Sequence, residues 1–132
     1  MKNNANNYSL LNLDERDSAA KLFVGESLQL SGCEVSFNRL AAGEAAPFVH
    51  AHKKNEELYI ITAGSGLFYL DGEEIAIRSG SLIRVAPAAS RAWKAGDNGM
   101  EFICIQTEAG SLHQATRQDG IICDAEQPSW AK

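Results

Sequence analysis

From Cys33 onward, short apolar runs alternate with turn residues. The runs are CEVSFNRL, PFVHAH, ELYIIT, GLFYL, EIAI, SLIRVA and MEFICIQT; the punctuation is AAGEAAP, KKNE, AGSG, DGEE, RSG, PAAS and AGDNG. Strand-like runs spaced by about 8–12 residues, with no helical period between them, predict an antiparallel all-β sandwich or barrel. DGEE and DNG read as hairpin-type turns in which Gly supplies the positive φ. Before Cys33 the pattern is weaker. Residues 1–8 read as a frayed tail, and Asp14 is placed to cap a short helix through about Phe23.

Several runs are apolar on both faces. In ELYIIT, Glu57, Tyr59 and Ile61 share one side while Leu58, Ile60 and Thr62 share the other. In MEFICIQT, Met100, Phe102 and Cys104 oppose Ile103 and Ile105. A strand apolar on both faces has to be covered on both. One face lines the interior; the other calls for a second layer, a terminus or a second subunit, which points to a homodimer.

Composition bounds the rest. A chain of 132 residues is one ordinary domain and can bury about two-thirds of its unfolded surface without disulfides. Its net charge of −5 and lack of a basic stripe argue against a nucleic-acid partner. No apolar run approaches the roughly 20 residues of a membrane span, and MKNNANNYSL has no apolar core of a secretory signal. The expectation is a cytoplasmic protein. Cys33, Cys104 and Cys123 form no CxxC pair and read as free thiols, with Cys104 a small core residue.

Two of the three histidines are His50 and His52. On a strand, residues i and i+2 share a face, so both imidazoles can reach one ion. Glu57, after four intervening residues, can reach the same point from the next antiparallel strand. Two imidazoles and a carboxylate form a facial set suited to Fe(II), Mn(II), Ni(II) or Zn(II). The plainer alternative is a surface HxH pair beside a solvated Glu.

The stretch Gly43-EAAPFV-His50-Ala-His52-KKNE-Glu57-LYIITA-Gly64 resembles the first motif of the cupin superfamily. It has six residues between Gly43 and His50 where five is usual. Gly66-LFYL-Asp71-Gly72 is also cupin-like, and Gly80-SLIRVA-Pro87 is similar to the start of the second motif. The resemblance covers roughly residues 33–107. It implies a small double-stranded β-helix, or jelly-roll barrel, for residues 33–107, with residues 1–32 as an N-terminal extension and 108–132 as a C-terminal segment packing on the barrel. It also selects Glu57, with six residues between it and Gly64, over Glu56 as the carboxylate ligand, leaving Glu56 in the turn facing solvent. The second motif departs at its histidine, which the spacing from Pro87 places at Ala92, so the ligand set is His50, His52 and Glu57.

Other side chains are candidates to shape a pocket. Phe48 gives the mouth an apolar wall. Tyr59 either donates a hydrogen bond to a ligand or, the favoured reading, packs with its hydroxyl satisfied. Arg39, Arg84, Arg91 and Trp93 lie where an inward arginine would need an anion, although each arginine taken singly reads as a surface strand charge. Gln106 is placed to add a weak oxygen ligand, and His113 falls beyond the barrel on the surface. The first function expected is a single-domain cupin binding a divalent metal and a small polar ligand. The alternatives are a metal-dependent enzyme of dioxygenase or sugar-phosphate isomerase type, and a metal-free binding module.

Overall fold

The computed structural model describes residues 2–4, 7–14, 19–114 and 116–131. Two strands dominate it. β5 (Asn55–Leu70) and β8 (Arg91–Glu108) pair antiparallel along nearly their whole length. Both are longer than the sequence pattern predicts. ELYIIT and GLFYL form one strand, and AGSG, expected as a turn, lies inside it; AGDNG likewise lies inside β8. Register shifts between Ile61/Ala63 and Gly64/Gly66 mark where the ladder bends. At the bend Gly64 has φ +74, and a Cβ there would fall 2.1 Å from the Gly99 carbonyl oxygen. Only glycine permits this approach.

The bend divides the barrel into two halves. In one, β3 (Lys21–Phe23), β4 (Glu34–Leu40), the C-terminal half of β8, the N-terminal half of β5 and β7 (Leu82–Val85) lie side by side. In the other, the start of β8 pairs with the end of β5, which pairs with β6 (Glu73–Arg78). Asp71 and Gly72, both at positive φ, make the predicted hairpin turn between β5 and β6. The alternation seen in the sequence is met. Tyr59, Ile61, Met100, Phe102 and Cys104 are buried inward with Phe68, Ile77, Val85 and Ala95, while Leu58, Ile60, Ile103 and Ile105 are half-buried on the outer face.

The N-terminal expectations change. Lys21–Phe23, assigned to a helix from Asp14, is an edge strand on β4, and a one-turn helix α1 (Gly25–Leu28) follows it. The rest of that expected helix includes residues 15–18, outside the described residues. The tail at 1–8 contributes β1 (Lys2–Asn4), paired with β2 (Tyr8–Leu10); residues 1, 5 and 6 lie outside the described residues. A short helix α2 (Thr116–Asp119) and a 3-10 turn (Ser129–Ala131) follow β8. Residues 109–114 and 118–131, expected to pack on the barrel, are exposed in the single chain.

Candidate metal centre

His50 and His52 do not sit on a full strand, as the spacing suggested. His50 forms an isolated bridge with Arg91: its N–H donates to the Arg91 carbonyl at 3.0 Å, and the Arg91 N–H donates back at 2.9 Å. The His52 N–H donates to the Pro87 carbonyl at 2.8 Å. The HxH segment is thus tied to the start of β8 and the loop before it. Glu57 enters from β5, between Val85 of β7 and Gln106 of β8.

The expected set converges. One ligand atom from each of His50, His52 and Glu57 lies within 4.8 Å of the others. The two imidazole rings are 5.3 Å apart and nearly perpendicular. His52 Nε2 lies 3.3 Å from Glu57 Oε2, but it is not aligned for a hydrogen bond, and it is buried without a partner among the described residues. No protein group among those described uses this nitrogen. Two imidazole nitrogens and one carboxylate oxygen at this spacing suit a divalent first-row ion with coordination positions left over.

Glu57 is held from the other side by Tyr59 and Gln106, which were expected near it, by Cys104, expected in the core, and by Arg91, which read singly as a surface strand charge. Arg91 is fully buried; its Nη1 donates to Glu57 Oε1 at 2.8 Å and its Nη2 to the Ala86 carbonyl at 2.7 Å. The Tyr59 hydroxyl donates to the same Oε1. The Cys104 thiol contacts Oε2 at 3.4 Å and Gln106 Nε2 contacts it at 3.5 Å. Burial alone would raise the Glu57 pKa. Hydrogen bonds from Tyr59 and Cys104, with the charges of His52 and Arg91, outweigh it and hold the carboxyl below its ordinary value. Burial, then the neighbouring Glu57 charge, pushes the Cys104 thiol up to about 12. Burial and the hydrogen bond to Glu57 push Tyr59 up as well. The His50 imidazole is held below its ordinary value, chiefly by burial.

The altered second motif is resolved one residue from where the resemblance put it. Ala92 pairs with Tyr69 and lies on the outer face beside Leu67. The side chain turned toward the ligand set is Arg91, whose signal in the sequence was its place next to the missing histidine. Trp93 and Gln106 do line the cavity, and Tyr59 packs with its hydroxyl satisfied. Phe48, expected to wall the mouth, is exposed with its ring 6.1 Å from His50 and is not among the residues lining the cavity. Arg39 and Arg84 face away from the cavity. Both are exposed, and Arg39 pairs with Glu101 at 3.2 Å. Glu56, expected in a solvent-facing turn, is half-buried in β5, and His113 is exposed as expected.

The cavity encloses about 160 Å³. Tyr59, Trp93 and Phe102 form its aromatic wall, with Trp93 and Phe102 edge-to-face at 5.2 Å. Lys21 and Phe23 of β3 also border it, and their assignment to a helix had hidden them from the sequence reading.

No protein-family model and no curated protein matches the chain. Solved structures do. The chain is similar to a cupin protein from Bacteroides fragilis at 41% identity, over 88% of this chain and 97% of that one, with a TM-score of 0.82. Its fold is also similar to a predicted oxalate decarboxylase from Thermotoga maritima (21% identity, 64% and 73% covered, TM-score 0.54). A third is a cupin-superfamily sugar phosphate isomerase from Silicibacter pomeroyi (22% identity, 67% and 59% covered, TM-score 0.61).

Proposed function

The chain belongs to the cupin superfamily, and on that premise we propose that its barrel binds one divalent metal ion, Fe, Mn, Ni or Zn, together with a small polar molecule. The observation that carries this reading is His52 Nε2, buried without a hydrogen-bond partner among the described residues and 3.3 Å from Glu57 Oε2. An ion held there supplies Lewis acidity and open coordination positions. His50 and His52 each offer an imidazole nitrogen. Arg91 and Tyr59 occupy Oε1 of Glu57 and leave Oε2, which takes only the longer contacts from Cys104 and Gln106, as the donor. We further propose that the protein is cytoplasmic and acts as a homodimer.

The test is metal content by mass spectrometry on untagged protein, repeated on His50→Ala. About one equivalent in the parent and a loss in the variant is expected. Equal contents overturn the reading.

A second reading rests on Arg91. A guanidinium 2.8 Å from Glu57 already balances the carboxylate charge that an ion would otherwise balance, which favours a metal-free binding module. Ligand binding with no metal uptake at any tested ion would favour it.

A further inference from the structure

We propose that the ligand of this barrel is a small organic carboxylate of roughly benzene-sized skeleton, its charged end taken by Lys21 at the mouth. The inference rests on reading the barrel as a ligand cavity, and it names the class of molecule that fits.

Size comes first. A cavity of about 160 Å³ is close to the roughly 150 Å³ that admits benzene into a protein interior. An aldose phosphate carries more than twice the non-hydrogen atoms of benzene and cannot be enclosed.

Charge comes second. Three charged side chains border the cavity: Lys21, Glu34 and Glu57. Glu57 is matched by Arg91. Glu34 turns its Oε1 onto the backbone N–H groups of Gly25 and Val35, at 2.8 and 2.9 Å. Lys21 is different. Among the described residues it makes no ion pair and no hydrogen bond, and its Nζ lies 5.4 Å from the centre of the Phe23 ring and 5.9 Å from that of Trp93. Glu34 keeps its negative charge, while Lys21 is the charged side chain of the lining whose N–H donors have no acceptor among the described residues. Two aromatic faces hold it over the opening. A divalent ion at the ligand set adds further positive charge. An anion satisfies both.

Shape comes third. Between Lys21 and the His50, His52, Glu57 set the cavity offers the faces and edges of Trp93 and Phe102, which suit a flat or short apolar skeleton. A carboxylate at one end and an oxygen donor or apolar end at the other fills the space. The neutral isostere lacking the carboxylate leaves Lys21 unanswered.

The experiment is tryptophan fluorescence titration on a Trp130→Phe background, which leaves Trp93 as the reporter. Benzoate, malonate, phenol and glucose 6-phosphate are the probes, each with and without Zn(II), and Zn(II) uptake is measured separately by calorimetry. Benzoate or malonate is expected to bind more tightly than phenol, with glucose 6-phosphate binding weakest. Lys21→Met should weaken the carboxylate by about five- to tenfold and leave phenol unchanged, while Lys21→Arg keeps most of the affinity. Lys21 is exposed, so both variants are expected to fold. Failure of both carboxylates to bind, phenol or glucose 6-phosphate binding as tightly, or an unchanged Lys21→Met overturns the inference. Zinc uptake without carboxylate binding overturns it and leaves the metal reading standing. Lys21-dependent carboxylate binding without zinc uptake supports it and removes the metal reading.

Discussion

Glu57 shows what a single residue does here. Its side chain is 6% exposed and that of Arg91 is 0% exposed, with 2.8 Å between them. Removing one partner of such a pair leaves a buried, uncompensated charge. Glu57→Gln is therefore expected to cost about 3 kcal/mol or more, read as a drop in the urea midpoint at constant slope; a loss within experimental error would show that Arg91 finds another partner. The same residues set the response to acid. His50 and Glu57 both have folded pKa values below their ordinary ones, so the unfolded chain binds more protons and stability rises with pH. The His50 contribution is present above its unfolded pKa of about 6.5 and is lost as pH falls through its lower folded value; that of Glu57 is lost further down, below about 4.5. The thermal midpoint should therefore fall from pH 7 toward pH 4, and His50→Gln should flatten the upper part of that fall. An unchanged profile in the variant would remove His50 as its source. His50, His52 and Glu57 were legible from the spacing of one short motif, although the two histidines lie on a bridged loop and not on the strand that alternation predicts. Arg91 was not, because the PAAS loop sets the phase of β8, and a one-residue difference in phase exchanges the inner and outer faces.

At the scale of elements, the short runs were legible and their joining was not. Glycine clusters such as AGSG and AGDNG read as chain reversals, since a local pattern does not tell a turn from a bend. In the barrel they face each other across β5 and β8, and the ladder continues through both. The contact that makes this possible is long-range: Gly64 against the Gly99 carbonyl, and Gly66 against the Lys94 carbonyl, where an added Cβ would lie 2.2 Å from the oxygen. Gly64→Ala meets both the clash and the positive φ. It should destabilise by about 2 kcal/mol or more. Gly32→Ala, with nothing within 4 Å and no positive φ, should stay within about 0.5 kcal/mol. Parallel guanidinium titrations of the two variants check this, and equal midpoints would show that the bend does not need glycine at 64. The same bend carries β8 from the Cys104–Gln106 side of the cavity to the Arg91–Trp93 side, so loss at Gly64 should also weaken ligand binding.

At the scale of the whole molecule, the inner surface is satisfied and the outer one is not. Leu58, Ile60, Ile103 and Ile105 stay half-buried on the outer face of β5 and β8. Leu112, Ile121, Ile122 and Trp130, which follow β8, are 82%, 87%, 89% and 86% exposed. Scattered apolar residues on a surface need no explanation, but a two-faced apolar sheet next to a segment carrying four large exposed ones does. Hydrophobic area left in water costs roughly 25 cal/mol per Å², and a second copy of the chain covers it by symmetry without requiring a different partner. Light scattering after gel filtration should give twice the mass of one chain across a tenfold concentration range. Replacing Ile121, Ile122 and Trp130 together with Ser should shift the population toward the single-chain mass if the segment after β8 lies in the interface. A parent protein with the mass of one chain throughout would sink the dimer, leaving that apolar surface open to another partner while the ligand cavity, built within one chain, stands unchanged.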